Sequence, residues 1–391
     1  MITLTTAENA LKTVYLGALS NQLNVEANPL LAKIKHSNAD VWGKEIRKMA
    51  PVGINGGVGA GTEEGVLPSA YSNTYVQFVS TLKNLYGMIE ISDKAIRASQ
   101  SSVGAFVDLL NAEMEGLVKA STFNLGRMLY GDGSGILCKI LNYTNNTFVV
   151  EVDDTRNLIE GLVIQAYDTI NHAFKNWTTR IVHVNRATKV IKVEKKFNDI
   201  YEESDGIAFV VQSSYNNEIT GLGRIFASTG TLYGLDKSTY PFLNPFIESS
   251  VGDISDAAIQ EAIDNVEEGA GSTIDLITCS YEVKRAYQTY LATYRRNIDV
   301  MELAGGYKAM SYNGIPVVAD RFVESDSMYL LNTKDFTLHE LCDWSWLQGE
   351  DGRILRQRQS YPTFMATLVK YADLICDHPS GQAKLTGITI S

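Results

Sequence analysis

The chain has 391 residues, 45% of them hydrophobic, with a formal net charge of −11. That is enough apolar material for two or three packed cores, which excludes a wholly disordered protein. The acidic balance argues against a dedicated nucleic-acid binder, which shows a basic face, and no apolar run is long enough to span a bilayer as a helix.

The N-terminus lacks the basic start and apolar core of a secretory signal. Residues 7–19 read as a short amphipathic helix, with Ala7, Ala10, Leu11, Val14, Ala18 and Leu19 on one face. The next stretch, 21–40, is polar and broken at Asn28-Pro29, so it offers that stripe little local core. The stripe packs either on another subunit or back on its own chain. Lys33, Lys35, Lys44, Arg47 and Lys48 form a locally basic segment, read as a solvated face.

Residues 44–49 and 75–91 read as two extended stretches around a soft centre containing Gly53, Gly56, Gly57, Gly59, Gly61 and Gly65. Glycine permits unusual backbone angles but loses much entropy on ordering. No Gly-Lys-Ser/Thr follows, and a GxGxxG pattern fails at Glu64, so this is not a phosphate cradle. It reads as a long two-stranded extension, marginal by itself and in need of a partner surface. Glu63 and Glu64 sit in its tip and read as solvent-facing. Residues 49–82 contain no Lys or Arg.

Residues 101–130 carry the longest helical pattern: Val103, Phe106, Val107, Leu110, Met114, Leu117, Ser121, Leu125 and Met128 recur at steps of three and four. Gly104, Gly116 and Gly126 interrupt it, each at a cost of about 1 kcal/mol against Ala. Close approach to a sheet, or a bend, would offset that cost. The glycines of 131–135 then stop the helix. Between 136 and 212 the pattern changes to short strands, at 148–152, 180–184, 189–193 and 207–211, which predicts an inserted β-barrel or sandwich.

Ile254, Ala258, Ala262 and Val266 mark a helix, 274–278 a buried strand, and Ser280 the cap of a second helix. That helix shows Val283, Ala286, Tyr287, Tyr290, Leu291 and Tyr294 on one face. Strands at 315–319 and 328–331 follow, so helices and strands alternate in a separate α/β unit. Residues 336–391 return to strand patterns, notably 364–375. Arg353, Arg356 and Arg358 form a second basic cluster there, again read as a solvated face.

No constellation of catalytic type emerges. The five histidines, His36, His172, His183, His339 and His378, are dispersed, with no metalloprotease spacing and no serine nucleophile elbow. Cys138, Cys279, Cys342 and Cys376 form no CxxC pair and no zinc spacing. They read as reduced, mostly buried thiols of a cytoplasmic protein. The pairs Asp153-Asp154 and Glu202-Glu203 read as solvated turns. No catalytic, cofactor-binding or metal residue is assigned, and the expectation is a protein that is not an enzyme.

The order of parts resembles the tailed-bacteriophage major capsid proteins of the Hong Kong 97-type fold. Met88-Ile89-Glu90-Ile91-Ser92 leads into the long helix, and Arg127-Met128-Leu129-Tyr130-Gly131-Asp132-Gly133-Ser134-Gly135 closes it. Glu218-Ile219-Thr220-Gly221-Leu222 rejoins the main fold after the β insertion, and Gly314-Ile315-Pro316-Val317-Val318 fits a strand of the apical domain. The resemblance covers nearly the whole chain, and the order of these short motifs carries it.

The resemblance implies an α+β fold with an inserted β-barrel-like domain. Residues 1–42 would be an N-terminal arm, 43–91 an extended loop over a neighbouring subunit, and 92–135 a peripheral domain with its spine helix. Residues 136–220 would be the insertion, 221–250 a peripheral linker, 251–335 the axial domain and 336–391 the peripheral return. The function implied is a structural subunit that self-assembles into pentamers and hexamers of an icosahedral shell around double-stranded DNA. The chain would be made in the bacterial cytoplasm and reside in the virion capsid. Its partners would be further copies of itself, a portal protein, separate scaffolding and cement proteins, and packaged DNA without sequence specificity; no membrane and no cofactor is implied. Candidate assembly contacts are Leu11 and Val14 of the arm; Gly56, Gly57, Gly59, Gly61, Glu63 and Glu64 of the loop tip; and Tyr294, Arg295 and Arg296 after the second axial helix.

Two departures stand out. Little precedes the arm, so scaffolding is expected to be separate or absent, or the sequence to be a mature form. Relatives that weld the shell through a loop lysine have no counterpart here, because the tip lacks Lys. An encapsulin-like nanocompartment shell is the alternative within the same fold, and an enzyme with a dispersed site the alternative outside it.

Overall fold

The computed structural model describes residues 28–94, 103–143, 147–197, 206–294, 300–302, 308–350 and 352–390. The arm helix expected over 7–19 lies outside them. Strand β1 (Lys35–Ser37) comes first, then β2 (Val41–Trp42), β3 (Glu45–Gly53) and β4 (Thr74–Thr81), which form a three-stranded sheet in the order β2-β3-β4. After one residue, Leu82, comes β5 (Lys83–Ser92).

The single extended stretch expected over 75–91 is therefore two strands, and they belong to different sheets. The cause is a slip in the two-residue alternation. Phe78 and Leu82 face inward at even positions, whereas Leu85, Ile89 and Ile91 face inward at odd ones. A strand that changes phase cannot keep one face buried, so the chain changes sheets.

Helix α1 (Val103–Tyr130) runs through Gly104, Gly116 and Gly126 without a break in its assignment. Gly116 faces open space; the close approach to a sheet comes from the strand side. At Gly87 of β5, a Cβ would stand 2.8 Å from Leu117 Cδ1. Met114, Leu125 and Met128 are buried as the stripe predicts, but so are Phe123 and Leu129, because the last turns of α1 are enclosed on several sides.

Strands β6 (Ile136–Tyr143), β7 (Thr147–Val152), β8 (Val163–Asp168), β9 (Ala173–Asn185), β10 (Val190–Phe197) and β11 (Ile207–Val211) close into a barrel in the order β10-β7-β6-β11-β8-β9. The expected insertion is thus a closed six-stranded barrel. Its core centres on Trp177, whose ring meets Phe197 at 4.9 Å and Phe209 at 5.6 Å, and whose Nε1 donates to the Lys196 carbonyl. Strands β6 and β8 were not expected. One follows directly on the glycine run, and the other, Val-Ile-Gln-Ala-Tyr-Asp, buries four of its six residues and so lacks a clean alternation.

After the barrel come a single helical turn α2 (Leu222–Ile225), a small hairpin of β12 (Thr231–Leu232) and β13 (Leu235–Asp236), and β14 (Phe246–Glu248). Helix α3 (Asp256–Ala270) starts with Ser255 accepting from the Ala258 amide and ends at Gly271, in the left-handed region. Strand β15 (Leu276–Cys279) leads into α4 (Tyr281–Tyr294), where the Ser280 hydroxyl accepts from the Val283 amide. Next follow β16 (Val300–Glu302), β17 (Lys308–Tyr312), β18 (Ile315–Ala319), β19 (Met328–Leu331), β20 (Phe336–Trp346), β21 (Arg356–Gln357), β22 (Thr363–Cys376) and β23 (Ala383–Leu385).

Two more sheets result. A seven-stranded sheet, β14-β23-β19-β15-β18-β17-β16, shares a hydrophobic core with α3 and α4. A five-stranded sheet runs β1-β20-β22-β21 with β5 along the other edge of β22. It shares a core with α1 and the chain that leaves the barrel.

The barrel is fastened at the end of α1. Arg127 donates from both terminal nitrogens to Glu218, at 2.8 and 2.5 Å, and both side chains are buried. Gly221 packs so tightly on the same helix end that a Cβ there would stand 2.3 Å from the Met128 carbonyl oxygen and 2.4 Å from that of Gly131. Neighbouring Thr220 donates from its amide to Asp373 Oδ1 at 2.6 Å. Three segments therefore meet at one point: α1, the barrel exit and β22.

Substitution Gly221→Ala should prevent the native junction from forming, because backbone carbonyls cannot give way as side chains do. We expect little or no soluble folded subunit, read by expression yield and circular dichroism. Glu218→Ala leaves a buried guanidinium unpaired and should cost about 3–5 kcal/mol in urea unfolding. A third expectation concerns Asp320, which follows β18. Burial pushes its carboxyl up to about 6 from 3.8, although the Phe322 amide donates to it at 3.0 Å. The folded state thus holds this proton more tightly than the unfolded chain. The contribution to stability is favoured as pH falls from about 6 toward 3.8 and lost above about 6, where the buried charge costs about 3 kcal/mol. Urea unfolding should show Asp320→Asn gaining on the unaltered subunit at about pH 7.5, with the gain shrinking by about pH 4.5.

Candidate assembly surfaces

The β3–β4 hairpin has a well-fastened root. Ile46, Ala50 and Phe78 are buried, and the Phe78 ring lies 5.2 Å from Tyr233 and 6.4 Å from Phe242. The Val79 amide donates to the Tyr233 carbonyl at 3.0 Å, while the Tyr233 hydroxyl donates to the Leu374 carbonyl and accepts from the Cys376 amide. Ser80 Oγ donates to Asp373 Oδ2, and Lys48 Nζ pairs with Asp377 at 2.6 Å. Desolvation raises the Asp373 carboxyl above the ordinary carboxylate range despite these donors. Lys237 stiffens the platform beneath. Its buried Nζ donates to the Ile225 and Ala227 carbonyls, and burial, with Arg224 nearby, pushes its pKa down to about 8.

The tip is the opposite of the root. Residues 54–73 form no strand or helix, and Ile54 and Val66 are 92% and 97% exposed. Val58, Leu67 and Tyr71 are exposed as well. A Cβ at Gly56 or Gly61 would meet nothing within 4 Å, while those at Gly57 and Gly59 would meet only the returning limb, at Ser69, Tyr71 and Pro68, or Asn55 within the tip. The tip is therefore a narrow ribbon. It ends in a turn closed by the Gly65 amide donating to the Thr62 carbonyl at 3.0 Å, and that turn holds exposed Glu63 and Glu64 at its apex. An apolar, acidic ribbon of this kind buries almost none of its side chains on its own chain.

Leu11, Val14, Arg295 and Arg296 lie outside the described residues, and Tyr294 is the last residue of α4. Sequence reasoning read Arg353, Arg356 and Arg358 as a solvated cluster, and all three are exposed. Arg353 and Arg356 line an open groove of about 540 Å³ beside β21. It missed the anchoring group of Asp373, Tyr233 and Lys237, which come from separate parts of the chain and share no motif. It also missed an ion cluster on the five-stranded sheet, where buried Lys370 meets Glu340 and Asp343 and His36 approaches Glu340 at 3.6 Å.

Among the described residues no group of three or more His, Cys, Asp or Glu is placed to hold a metal ion, and no helix is long and apolar enough to cross a membrane. All four cysteines are free; Cys138, Cys279 and Cys376 are buried, and burial pushes the Cys279 thiol up to about 12.

No protein-family model and no curated protein matches the sequence. Solved structures do. The capsid asymmetric unit of cyanophage A-1(L) superposes with a TM-score of 0.58 at 14% identity, over 94% of each chain. The capsid of a native GTA particle gives 0.48 at 10% identity, over 92% of this chain and 90% of that one. The holo-SrpI encapsulin complex from Synechococcus elongatus PCC 7942 gives 0.47 at 9% identity, over 93% and 89%. A fastened hairpin with a bare tip, a long helix under a five-stranded sheet and a separate α/β sheet thus form, in this chain, the Hong Kong 97-type capsid fold with a β-barrel set into it.

Proposed function

We propose that this chain is the major capsid subunit of a tailed bacteriophage, a structural protein that works by assembling into an icosahedral shell. The observation that carries the reading is the hairpin: fixed at its root by buried contacts and bare at a tip that exposes Ile54, Val58, Val66, Leu67 and Tyr71. A segment that orders so many residues without burying them has its burial elsewhere, on further copies of the same chain.

In this reading residues 43–91 are the extended loop and 1–42 the arm. The peripheral domain is 92–135 with 221–250 and 336–391, and the axial domain is 251–335. The barrel, 136–220, stands off the shell as a surface module. Pentamers and hexamers form from one sequence because the cores are rigid while the glycine-rich tip adapts to each setting. Each contact is modest, and a closed shell sums many of them. The enclosed content is double-stranded DNA entering through a portal, with scaffolding and cement proteins supplied as separate chains. The site of assembly is the host cytoplasm.

Negative-stain microscopy of the purified chain should show icosahedral particles or capsomer rings. Replacing residues 54–73 by an Asn-Gly turn should leave the melting temperature within a few degrees, since the tip holds no core residue, and abolish the particles. A chain that stays monomeric at every concentration would rule the shell out. Co-purification of DNA and portal, and not of a cargo enzyme, distinguishes a virion from a nanocompartment.

A further inference from the structure

The sequence contains two Asn-Gly pairs, Asn55-Gly56 and Asn313-Gly314, and both are exposed. In such a pair the Asn carboxamide is an electrophile beside its own nucleophile, the backbone nitrogen of the Gly. Glycine matters because it has no Cβ to hinder the backbone as that nitrogen turns in. Exposure does not separate the two pairs. What holds the reacting groups does.

Asn313 and Gly314 form the turn between β17 and β18, where Tyr312 pairs with Ile315. Both have positive φ, 49° and 83°, as a two-residue hairpin turn requires. The Gly314 amide donates to Ser311 Oγ at 3.1 Å, and Asn313 Nδ2 donates to Gln260 Oε1 at 3.4 Å. Nucleophile and leaving group are both engaged, and the backbone rotation that would join them has to disturb the strand pairing.

Asn55 lies two residues beyond the end of β3, in the stretch without strand or helix. A Cβ at Gly56 would meet nothing within 4 Å, so this peptide has room to rotate. Among the described residues no hydrogen bond engages the Gly56 amide. The Gly57 amide donates to Asn55 Oδ1 at 2.8 Å. That donor folds the carboxamide back over the Gly56 peptide and draws electron density from its carbonyl carbon. It also stands where negative charge develops on Oδ1 as a nucleophile adds.

We propose that Asn55 is a self-modification site, at which the Gly56 nitrogen attacks Asn55 Cγ and the side-chain amide leaves as ammonia. The bond from the Gly56 nitrogen to Cγ forms, the Cγ–Nδ2 bond breaks, and the proton of the Gly56 amide ends on the departing ammonia. The resulting succinimide takes up one water. Opening at one carbonyl gives an ordinary aspartyl residue, and opening at the other gives an isoaspartyl linkage with the main chain running through Cβ. Either product adds a negative charge to a tip that already carries Glu63 and Glu64, with no Lys or Arg over residues 49–82. The reaction belongs to the free chain and does not depend on the shell reading.

The full chain, folded and in parallel unfolded in urea, is incubated in mildly alkaline buffer. Trypsin then isolates the two sites, Asn55 on fragment 49–83 and Asn313 on fragment 309–321. Mass spectrometry follows the replacement of an amide by an acid, and fragmentation assigns it to a residue. In the folded chain Asn55 should convert about tenfold or more ahead of Asn313, and in urea the two should convert at similar rates. Gly56→Ala fits the open space, so the melting temperature should hold while conversion of Asn55 slows about tenfold or more. Asn55 keeping level with Asn313 in the folded chain, or lagging behind it, overturns the proposal. So does a lead that persists undiminished in urea, which would belong to the local sequence alone, or Gly56→Ala converting at the unaltered rate. If Gly56→Ala melts early, the comparison of the two sites within the unaltered chain decides.

Discussion

The architecture depends on the close fit at the end of α1. A polypeptide leaves the helix, builds a complete barrel, and must return to the point of departure. It does so only because residue 221 has no side chain and can lie against the Met128 and Gly131 carbonyls. The Arg127–Glu218 pair closes the same junction with two buried charges, which is stabilising only when both partners are present. From there Thr220 reaches Asp373, and Asp373 reaches Ser80 of the hairpin. One strand, β22, thus fixes where the barrel hangs and where the hairpin begins.

Much of this was legible in the sequence, and the reasons are physical. Long periodic segments such as α1 and the paired β3–β4 extension carry their own signal. The short motifs at 129–135 and 218–222 marked the two ends of the insertion, and the structure brings them into contact. What stayed hidden was of two kinds. Strand β8 buries four of its six residues and lacks a clean alternation to read. The sheet switch at Leu82 was present as a one-residue phase slip, visible once the inward positions are compared across it. The anchoring set of Asp373, Tyr233, Ser80 and Lys48 draws on residues up to some three hundred positions apart, which no local pattern encodes. Glu63 and Glu64 of the tip were read as solvent-facing, and they are exposed.

The division of labour follows from these placements. Burial is concentrated in three cores: one shared by α1 and the five-stranded sheet, one by α3, α4 and the seven-stranded sheet, and one inside the barrel. The hairpin root belongs to the first core, and its tip belongs to none. Anchoring and reach are thus combined within one hairpin: Ser80 is held at Asp373, and beyond Gly53 the chain runs on without strand or helix to an exposed tip.

The barrel's attachment has a consequence for variation. Its first and last strands leave and return within a few residues of one another, with the Asn216 amide donating to the Ser134 carbonyl at 2.9 Å. A closed sheet also offers no free edge for foreign strands. The module is therefore a bead on a clasp, joined to the rest of the subunit at one point where its entry and exit meet. A passenger domain grafted in its place would be held by the same two adjoining strand ends, and so in an orientation set by the clasp and not by a single flexible tether.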